Sequence, residues 1–297
     1  MDRQMYDVVI VGGGMAGATL ALQLCQSAPS LSIAVIDACS PSTAQSAQWS
    51  GYDDRSTALG ACAQETYCEL EVWDSLIAQA APIKQVHVSD RGRFGVTRFH
   101  AEDHQRPALG YVVSNRRLGQ ILTDRLVQSQ QIEWLCPMEV CAIEPCEQQC
   151  TVQIKPTGDN PKKKPTSVAA TLTIVCDGGR SPLLSSLGFD SVQVEYNQHA
   201  VIANVTPSKP HRGCAYERFT ATGPMALLPL PKGDMALVWT MPTELASERM
   251  ELIEQDFLKE LQETFGYRMG EFVKVGSATA IRSLCICYAS RCDTAWR

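Results

Sequence analysis

The fold of this chain is decided by the stretch Asp7-Val-Val-Ile-Val-Gly-Gly-Gly-Met-Ala-Gly-Ala-Thr-Leu-Ala-Leu-Gln-Leu. Its apolar, β-branched run at residues 8–11 predicts a short strand buried on both faces. Gly12, Gly14 and Gly17 follow in G-x-G-x-x-G spacing, and a helix is predicted after them. In such a turn the first glycine bends the chain, the second lets backbone N–H groups approach a pyrophosphate, and the third lets helix and strand pack closely. The stretch therefore predicts the start of a Rossmann-like dinucleotide-binding domain.

An acidic residue follows at the distance that such a fold requires. Residues 31–36 predict a second buried strand, and Asp37 comes at its end, twenty residues after Gly17. Dinucleotide folds place there the carboxylate that binds a ribose hydroxyl. The glycine motif alone is weak evidence, and an ordinary βαβ unit with a glycine-rich turn is the alternative. Because turn, helix and acid occur in the expected order, we interpret the segment as a dinucleotide site.

The composition is typical of a soluble globular protein, with 45% hydrophobic and 20% charged residues among 297. A net charge of −6 argues against a nucleic-acid-binding protein, which needs a basic face. No apolar run approaches the roughly twenty residues that span a bilayer, so no transmembrane segment is expected. The first strand begins too near Met1 to leave room for a signal peptide, and we therefore expect a cytoplasmic protein.

The thirteen cysteines are predicted to be free thiols, because their number is odd and no export signal is evident. The densest group contains Cys136, Cys141, Cys146 and Cys150. Its spacing does not match the paired C-x-x-C arrangement of a structural zinc site. We therefore expect no metal site and interpret these cysteines as buried or incidental small residues.

Further elements are predicted along the chain. Two alternating segments flank Gly92 and predict a hairpin, which we assign to a different sheet because it interrupts the βα alternation. Lys162 to Lys164 are interpreted as a solvated hairpin tip. The other elements predicted in this part are a helical stretch at 61–80, a helix beginning at Ser114 or Asn115, and two or three short strands within 132–154.

A second informative stretch is the alternating strand at 172–175, which is followed by Asp177 and Gly178. Ligands of open α/β sheets bind at the carboxyl ends of strands, so Asp177 is a candidate ligand contact. A turn-forming Asp-Gly pair is the alternative, and from this stretch alone it is the better interpretation. A helix is predicted to start near Ser181 and Pro182, because proline suits the first helical turn.

From residue 192 onward the pattern becomes all-β. Alternation predicts antiparallel strands at 192–196, 199–205, 214–219, 224–230 and 235–240, with a turn at 231–234. An amphipathic helix is then predicted at 244–265. Its predicted buried face consists of Leu252, Ile253, Phe257, Leu258, Leu261 and Phe265. Residues 277–297 show no clear periodicity.

Together these stretches resemble the class A FAD-dependent aromatic hydroxylases, and most closely the ubiquinone-biosynthesis branch typified by 2-polyprenyl-6-methoxyphenol hydroxylases. The resemblance extends from Asp7 to about residue 275. It rests on the glycine turn with Asp37 and on four further stretches: Asp54-Arg-Ser-Thr-Ala-Leu, Asn115-Arg-Arg-Leu-Gly, Asp177-Gly-x-x-Ser and Glu217-Arg-Phe-Thr-Ala-Thr-Gly-Pro-Met-Ala-Leu-Leu-Pro-Leu.

The resemblance implies an α/β fold in which a Rossmann-like FAD-binding domain is interleaved with a mostly antiparallel β-sheet substrate domain. The implied FAD-binding parts are 1–80 and 110–190, the substrate-domain parts are 81–109 and 191–275, and 276–297 is an atypical tail. The resemblance also implies that a phenol lies between the flavin and the sheet formed by residues 94–100, 216–219 and 225–230.

FAD, rather than NAD, is the implied cofactor, and NAD(P)H is the implied electron donor. The implied cofactor-binding residues are Gly12, Gly13, Gly14, Met15, Ala16, Gly17, Asp37, Arg55, Arg116, Asp177 and Gly178. Flavin chemistry needs no side-chain nucleophile or metal. No catalytic base can be named, because His199, His211 and Tyr216 are each better interpreted as structural or surface residues. The implied partners are a polyprenylated phenol and other proteins of ubiquinone biosynthesis, with peripheral membrane contact and no nucleic acid.

Three departures from the family pattern bear on activity. Asp37 stands where the family usually has Glu, and Leu184 stands where it usually has Arg. The family's later Gly-Asp-Ala-Ala-His-type segment, which contacts the flavin, has no counterpart in this sequence. We therefore expect a chain shortened at its C-terminal end that keeps the ADP half of the FAD site, binds flavin weakly and hydroxylates poorly.

Two other functional classes stay open. An NAD(P)-dependent Rossmann oxidoreductase accounts for residues 12–37 but not for Arg55, Arg116 and Asp177, and a flavin absorption spectrum separates the two classes. A non-catalytic FAD-binding or scaffold remnant accounts for the missing segment. A turnover assay set against a pull-down of partner proteins tests that class.

Overall fold

The structure is a computed structural model that describes residues 4–39, 55–157, 165–178, 181–276 and 278–289. The chain divides into two compact units. Unit 1 comprises Met1–Asp54, Asn115–Val192 and Ile286–Arg297, and unit 2 comprises Arg55–Ser114 and Gln193–Cys285. These divisions fall at different residues from the functional domain boundaries expected above, which stay a prediction. Asp54 and the basic tip at 162–164 lie outside the described residues.

The described residues form seven α-helices and seventeen strands. The helices are α1 Met15–Ser27, α2 Ala61–Glu69, α3 Trp73–Ile77, α4 Asn115–Gln128, α5 Pro182–Ser186, α6 Thr243–Met250 and α7 Glu254–Phe265. The strands are β1 Met5–Val11, β2 Ile33–Ile36, β3 Ser56–Gly60, β4 Ala81–Ile83, β5 Gln85–Asp90, β6 Val96–His100, β7 Gly110–Ser114, β8 Ile132–Leu135, β9 Met138–Pro145, β10 Cys150–Pro156, β11 Thr166–Val175, β12 Asp190–Pro207, β13 Cys214–Thr220, β14 Gly223–Pro229, β15 Met235–Pro242, β16 Phe272–Val275 and β17 Thr279–Ala289.

Unit 1 is built on a six-stranded sheet with the order β8-β2-β1-β11-β10-β9. The first four strands are parallel, and β9, β10 and β11 form an antiparallel meander. Val9 and Ile10 are fully buried, as expected for an apolar strand at the centre of a parallel sheet. Helices α1 and α4 pack against each other. The predicted strand, helix and second strand are confirmed as β1, α1 and β2, in the α/β, Rossmann-like arrangement that the sequence predicts.

Unit 2 contains a larger sheet with the order β16-β12-β15-β14-β13-β5-β6, in which β17 also pairs with β12. Pairs with a described register are antiparallel, except that β13 is parallel to β5. A separate three-stranded sheet has the order β3-β7-β4. The hairpin predicted around Gly92 is confirmed as β5 and β6, in a different sheet from β1.

One face of the larger sheet packs against α6 and α7. Leu227 and Trp239 are buried on this face, and Phe257 and Phe265 of α7 belong to the same core cluster. The rings of Trp239 and Phe257 meet edge to face at 6.1 Å. The apolar residues of α7 recur every four positions, which gives the helix one buried stripe.

Two predicted helices are each interrupted. The stretch predicted at 61–80 forms α2 and α3, because Glu71 takes a left-handed conformation with φ 56°. The helix predicted at 244–265 forms α6 and α7, separated at residues 251–253. Ile253 has an extended backbone at the N-cap of α7 and is 66% exposed, so its assignment to the buried face is wrong.

The strands near the end of the chain also differ from the prediction. The segments at 192–196 and 199–205 belong to one strand, β12, rather than two. Within it Asn197 takes φ 50° without ending the strand. The tail that shows no periodicity contains β17, which pairs with β12. Pairing with β12 provides hydrogen-bond partners for the backbone N–H and C=O groups of β17. The strand therefore forms although its own sequence shows no clear alternation.

Glu217 lies on the sheet face opposite α7. Its neighbour Tyr216 packs its ring on Phe265 of α7, and successive strand residues point to opposite faces. The register places Glu217 between Val88 of β5 and Ala226 of β14. Burial raises the pKa of the Glu217 carboxyl, so its ionised form is less favourable in the folded protein than in the unfolded chain.

We expect Glu217→Gln to stabilise the protein at pH 8 and to leave its stability unchanged at pH 4. Because the folded-state pKa is raised, ionisation of Glu217 disfavours folding, and this cost grows as pH rises through that pKa. The cost is absent below the unfolded-state value of about 4.3. Thermal unfolding at both pH values measures the difference, with Glu263→Gln, at an exposed position of α7, as the control. A variant less stable than wild type at pH 8 would contradict the expectation.

Candidate functional site

A cavity of about 560 Å³ lies at the carboxyl ends of β1, β2 and β11 in unit 1. Its volume falls within the range of about 300–1,000 Å³ that is typical of ligand pockets. The residues that line it come from the glycine turn, the end of β2, the start of β9 and the β11–α5 turn. They include Gly12, Gly14, Met15, Ala16, Asp37, Met138, Asp177, Gly178 and Leu183. The carboxyl edge of a parallel sheet is where α/β folds bind ligands.

The three motif glycines have three different surroundings. At Gly12 (φ +98°) a Cβ would lie 2.6 Å from the carbonyl oxygen of Cys176, and at Gly17 it would lie 1.9 Å from that of Gly12. Side chains are therefore excluded at both positions by backbone packing. At Gly14 a Cβ would meet no atom within 4 Å. Because Gly14 also lines the cavity, the space beside it is open to a ligand.

The N-terminus of α1 faces this cavity with uncapped N–H groups. Its N-cap is Gly14, which has no side chain, and its first turn contains no acidic residue. The first helical hydrogen bond runs from Ala18 N to Gly14 O at 2.9 Å. Within the described part of the chain, the N–H groups of Met15, Ala16 and Gly17 thus have no acceptor. Such groups, at the positive end of a helix dipole, bind phosphates, so an FAD diphosphate fits this turn.

Two backbone N–H groups hold the carboxylate of Asp37 at the end of β2. Gly13 N donates to Oδ2 at 2.6 Å, and Cys39 N donates to Oδ1 at 2.8 Å. Burial raises the pKa of this carboxyl, and the two hydrogen bonds oppose that rise without cancelling it. A carboxylate oxygen accepts more than one hydrogen bond. Asp37 can therefore still accept hydrogen bonds from the hydroxyls of a ribose.

The start of β9 forms a cavity wall that the sequence did not predict. Met138, Glu139 and Val140 line the cavity there. Met138 N donates to the carbonyl oxygen of Asp37 at 2.7 Å, so β9 is tied to the end of β2. No local motif marks these residues, because their position depends on β8 pairing with β2, a pairing between segments distant in sequence.

Asp177 and Gly178 follow β11 and line the same cavity. Ser181 Oγ donates to Asp177 Oδ2 at 2.6 Å and accepts from Leu183 N at 3.2 Å. Ser181 is therefore the N-cap of α5 and also orients the Asp177 carboxylate. The helix predicted to start near Ser181 and Pro182 is confirmed as α5.

Replacing Ser181 with alanine is expected to lower the free energy of unfolding by about 1 kcal/mol, the usual cost of losing an N-cap side chain. Denaturant unfolding of wild type and variant measures the change. Ser27→Ala is the control, because that exposed hydroxyl donates to Gln23 O within α1 and has no other partner among the described residues. A Ser181→Ala variant as stable as Ser27→Ala would show that this cap does not hold α5.

The structure brings together seven of the predicted cofactor-binding residues as cavity lining: Gly12, Gly14, Met15, Ala16, Asp37, Asp177 and Gly178. Gly13 and Gly17 do not line the cavity but contact residues that do. Gly13 N donates to the Asp37 carboxylate, and Gly17 packs against the backbone of Gly12. The two arginines are not part of the lining. Arg116 is half-buried in the first turn of α4, and Arg55 precedes β3 in unit 2.

The three candidate bases lie in unit 2 and have structural partners. His199 Nδ1 is 3.0 Å from Thr243 Oγ1, and His211 Nε2 is 3.0 Å from Leu230 O. Burial raises the pKa of Tyr216, which stays protonated at neutral pH. None of these contacts indicates proton transfer to a substrate.

Among the residues that the structure describes, no three His, Cys, Asp or Glu side chains are arranged to hold a metal ion. No helix formed by these residues combines the length and apolar character needed to cross a bilayer. The cysteines whose side chains the structure describes are free thiols.

Comparison with known proteins identifies the family. The sequence pattern of the FAD binding domain family matches residues 5–279. The chain belongs to this family. The FAD-binding family expected from the resemblance is therefore confirmed.

Three similar proteins illustrate the relationship. Ubiquinone hydroxylase UbiL of Rhodospirillum rubrum is 32% identical over 279 residues, which are 94% of this chain and 62% of UbiL. Ubiquinone biosynthesis monooxygenase COQ6 of Caenorhabditis elegans is 28% identical over 265 residues, which are 86% of this chain and 56% of COQ6. The structure of p-nitrophenol 4-monooxygenase PnpA of Pseudomonas putida superposes with a TM-score of 0.72 at 16% identity, covering 97% of this chain and 70% of PnpA.

The chain spans about three fifths of the length of the first two relatives. At this low identity, the superposition on PnpA shows a shared fold alone. The fold class expected from the sequence is thereby confirmed.

Proposed function

We propose that this chain binds FAD in the unit 1 cavity and acts as an FAD-dependent monooxygenase that hydroxylates a polyprenylated phenol in ubiquinone biosynthesis. One observation carries the proposal: the cavity combines the uncapped N-terminus of α1 with the Asp37 carboxylate. A dinucleotide needs both features, one for its diphosphate and one for its ribose. The names of the UbiL and COQ6 relatives support the reaction and the substrate class.

In this proposal the glycine turn at 12–17 holds the FAD diphosphate and Asp37 accepts hydrogen bonds from the adenosine ribose. Asp177 and Gly178, on the β11–α5 turn, form a further contact with the cofactor. Arg55 and Arg116 are proposed flavin contacts on the basis of the family resemblance. Bound FAD supplies the redox chemistry, taking electrons from NAD(P)H and activating O₂.

The residues of unit 1 contribute binding and orientation. The N–H groups at the start of α1 would donate hydrogen bonds to the diphosphate, and the positive end of the helix dipole favours its negative charge. Ser181 holds the Asp177 carboxylate in place at 2.6 Å. Gly13 N does the same for Asp37, so the acid at the end of β2 is oriented before the cofactor arrives.

The phenol, we propose, binds to the face of the unit 2 sheet opposite α7. Val88, Phe99, Phe219 and Ala226 lie on this face by strand alternation, and Phe99 and Phe219 are about half exposed. Such a surface suits an aromatic ring with an apolar tail. Glu217, whose position on this face is between Val88 and Ala226, would accept a hydrogen bond from the phenol hydroxyl.

We further propose two kinds of partner, a membrane surface and other proteins. A polyprenyl tail is apolar enough to partition into lipid, so the substrate requires peripheral contact between the protein and a membrane. Other proteins of ubiquinone biosynthesis are proposed as partners, because they would supply the phenol and take up the product.

The experiment is reconstitution of the full chain with FAD, followed by incubation with a polyprenylated phenol, NADH or NADPH, and O₂. We expect bound flavin in the absorption spectrum and a product heavier by one oxygen atom in the mass spectrum. A chain that binds NAD(P) but no flavin would establish a nicotinamide-dependent oxidoreductase instead. Bound FAD with no product from either donor would establish a non-catalytic FAD-binding protein.

A further inference from the structure

Three arginines from three separate segments meet in unit 2. Arg98 lies on β6, Arg218 on β13 and Arg268 in the turn after α7. They surround two buried polar residues of β5, His87 and Ser89, which are 6% and 5% exposed. Register explains part of the arrangement, because His87 pairs with Arg98 on one side and Ser89 pairs with Arg218 on the other.

The guanidinium groups of Arg218 and Arg268 share one hydroxyl acceptor. Arg218 Nη1 lies 3.3 Å and Arg268 Nη1 lies 3.1 Å from Ser89 Oγ. The two nitrogen atoms are therefore at most 6.4 Å apart, the sum of these distances. Because both bonds use lone pairs of the hydroxyl, Ser89 is left to donate its own hydrogen, and it has no acceptor in the described part of the chain.

Among the described residues, none of the three arginines forms an ion pair with a carboxylate. The positive charge of the cluster is therefore not balanced by a paired acid. The nearest acid in sequence, Asp90, is paired with Arg93 at 3.1 Å. Burial lowers the pKa of Arg218, and the neighbouring Arg268 and Arg91 lower it further, while Asp90 acts in the opposite direction. Positive charges held this close repel each other unless an anion lies among them.

His87 also requires a hydrogen-bond acceptor. Arg98 Nε donates to His87 Nδ1 at 3.3 Å, so the proton of the neutral ring is on Nε2. Nε2 is buried and has no partner among the described residues. Burial, followed by Arg268, Arg98 and Arg218, lowers the pKa of His87, and the ring therefore stays neutral.

We propose that Arg98, Arg218 and Arg268, together with Ser89, bind the phosphate group of a ligand. A phosphate has only acceptor oxygens and carries up to two negative charges, and guanidinium groups match its geometry. Arg98 and Arg268 are exposed and can be reached from solvent. Arg218 is held in place because its Nε donates to Thr264 O at 3.1 Å. The inference does not depend on the proposed hydroxylase function.

Calorimetric titration of the full chain tests this site, with saturating FAD present throughout so that the unit 1 cavity is filled. The probes are inorganic phosphate, NADP⁺ compared with NAD⁺, and phosphatidylglycerol vesicles compared with phosphatidylcholine vesicles. We expect saturable binding of at least one phosphate-bearing probe. The double variant Arg98→Met with Arg268→Met should weaken it at least about 10-fold, since it removes two charge-assisted contacts.

The control is Arg93→Met, which removes one positive charge from the same hairpin and does not contact Ser89 or His87 in the described structure. It should bind the probes as wild type does. Preference for NADP⁺ over NAD⁺ would identify a nucleotide phosphate, binding to phosphatidylglycerol alone a lipid headgroup, and binding of inorganic phosphate alone the free ion. Absence of saturable binding in every arm, or equal affinity in the double variant and wild type, would overturn the proposal.

Discussion

Replacing Gly14 with valine should lower the affinity of the chain for ADP and FAD by about 100-fold or more. A Cβ at Gly14 would meet no atom within 4 Å, so the fold has room for a side chain to begin there. The added atoms would occupy the space in which a diphosphate approaches the N–H groups of α1. Charge-assisted hydrogen bonds are worth about 1.5–3 kcal/mol each, and the loss of two accounts for the expected change.

Gly60→Val is the matched control for this variant. Gly60 is the N-cap of α2, with φ −72° and ψ 173° against φ −65° and ψ −175° at Gly14. A Cβ at Gly60 also meets no atom within 4 Å. The two variants therefore place the same side chain at equivalent helix starts, and Gly60→Val should bind ADP normally. Equal affinity of Gly14→Val and Gly60→Val would show that the diphosphate does not lie at α1.

Asp37→Asn should reduce ADP and FAD affinity about 10- to 100-fold, because hydrogen bonds to a charged group contribute about 1.5–3 kcal/mol. Glu139→Gln is its control, since Glu139 lines the same cavity and its carboxylate is instead paired with Lys155 at 3.2 Å. If both variants lost affinity equally, the effect would come from the total charge of the cavity and not from Asp37.

The pH dependence of binding provides a second test of Asp37. Its pKa is raised by burial in the protein without ligand. As pH falls, the carboxylate is protonated at a higher pH than the usual value of about 3.9, and nucleotide affinity should fall with it. Asp37→Asn should not show this decline. A decline of the same size in both proteins would assign the titration to another group.

Much of unit 1 could be predicted because its signals are local. The buried run at 8–11, the glycine turn and Asp37 occur within one segment of about thirty residues, and the structure forms β1, α1 and β2 from it. The breaks at Glu71 and at 251–253 were missed because apolar residues continue at helical spacing across them. Only the backbone conformations of Glu71 and Ile253 show where those helices end or begin.

The candidate site was predictable on its glycine side and not on its β9 side. Gly12, Gly14 and Asp37 follow from spacing alone, because one turn and one strand place them. Met138 enters the cavity only after β8 pairs with β2, and such a pairing leaves no local sequence signal. The same reason explains why the arginine cluster was not predicted, since it combines β5, β6, β13 and the turn after α7.

The most direct test of the account is a comparison of ADP with 2′,3′-dideoxy-ADP by calorimetric titration of wild type and Asp37→Asn. If Asp37 binds the ribose hydroxyls, wild type should prefer ADP by about 10-fold or more, and Asp37→Asn should bind both nucleotides with similar, weaker affinity. Equal binding of the two nucleotides by wild type, or the same preference in both proteins, would contradict the assignment of this cavity to the adenosine diphosphate half of FAD.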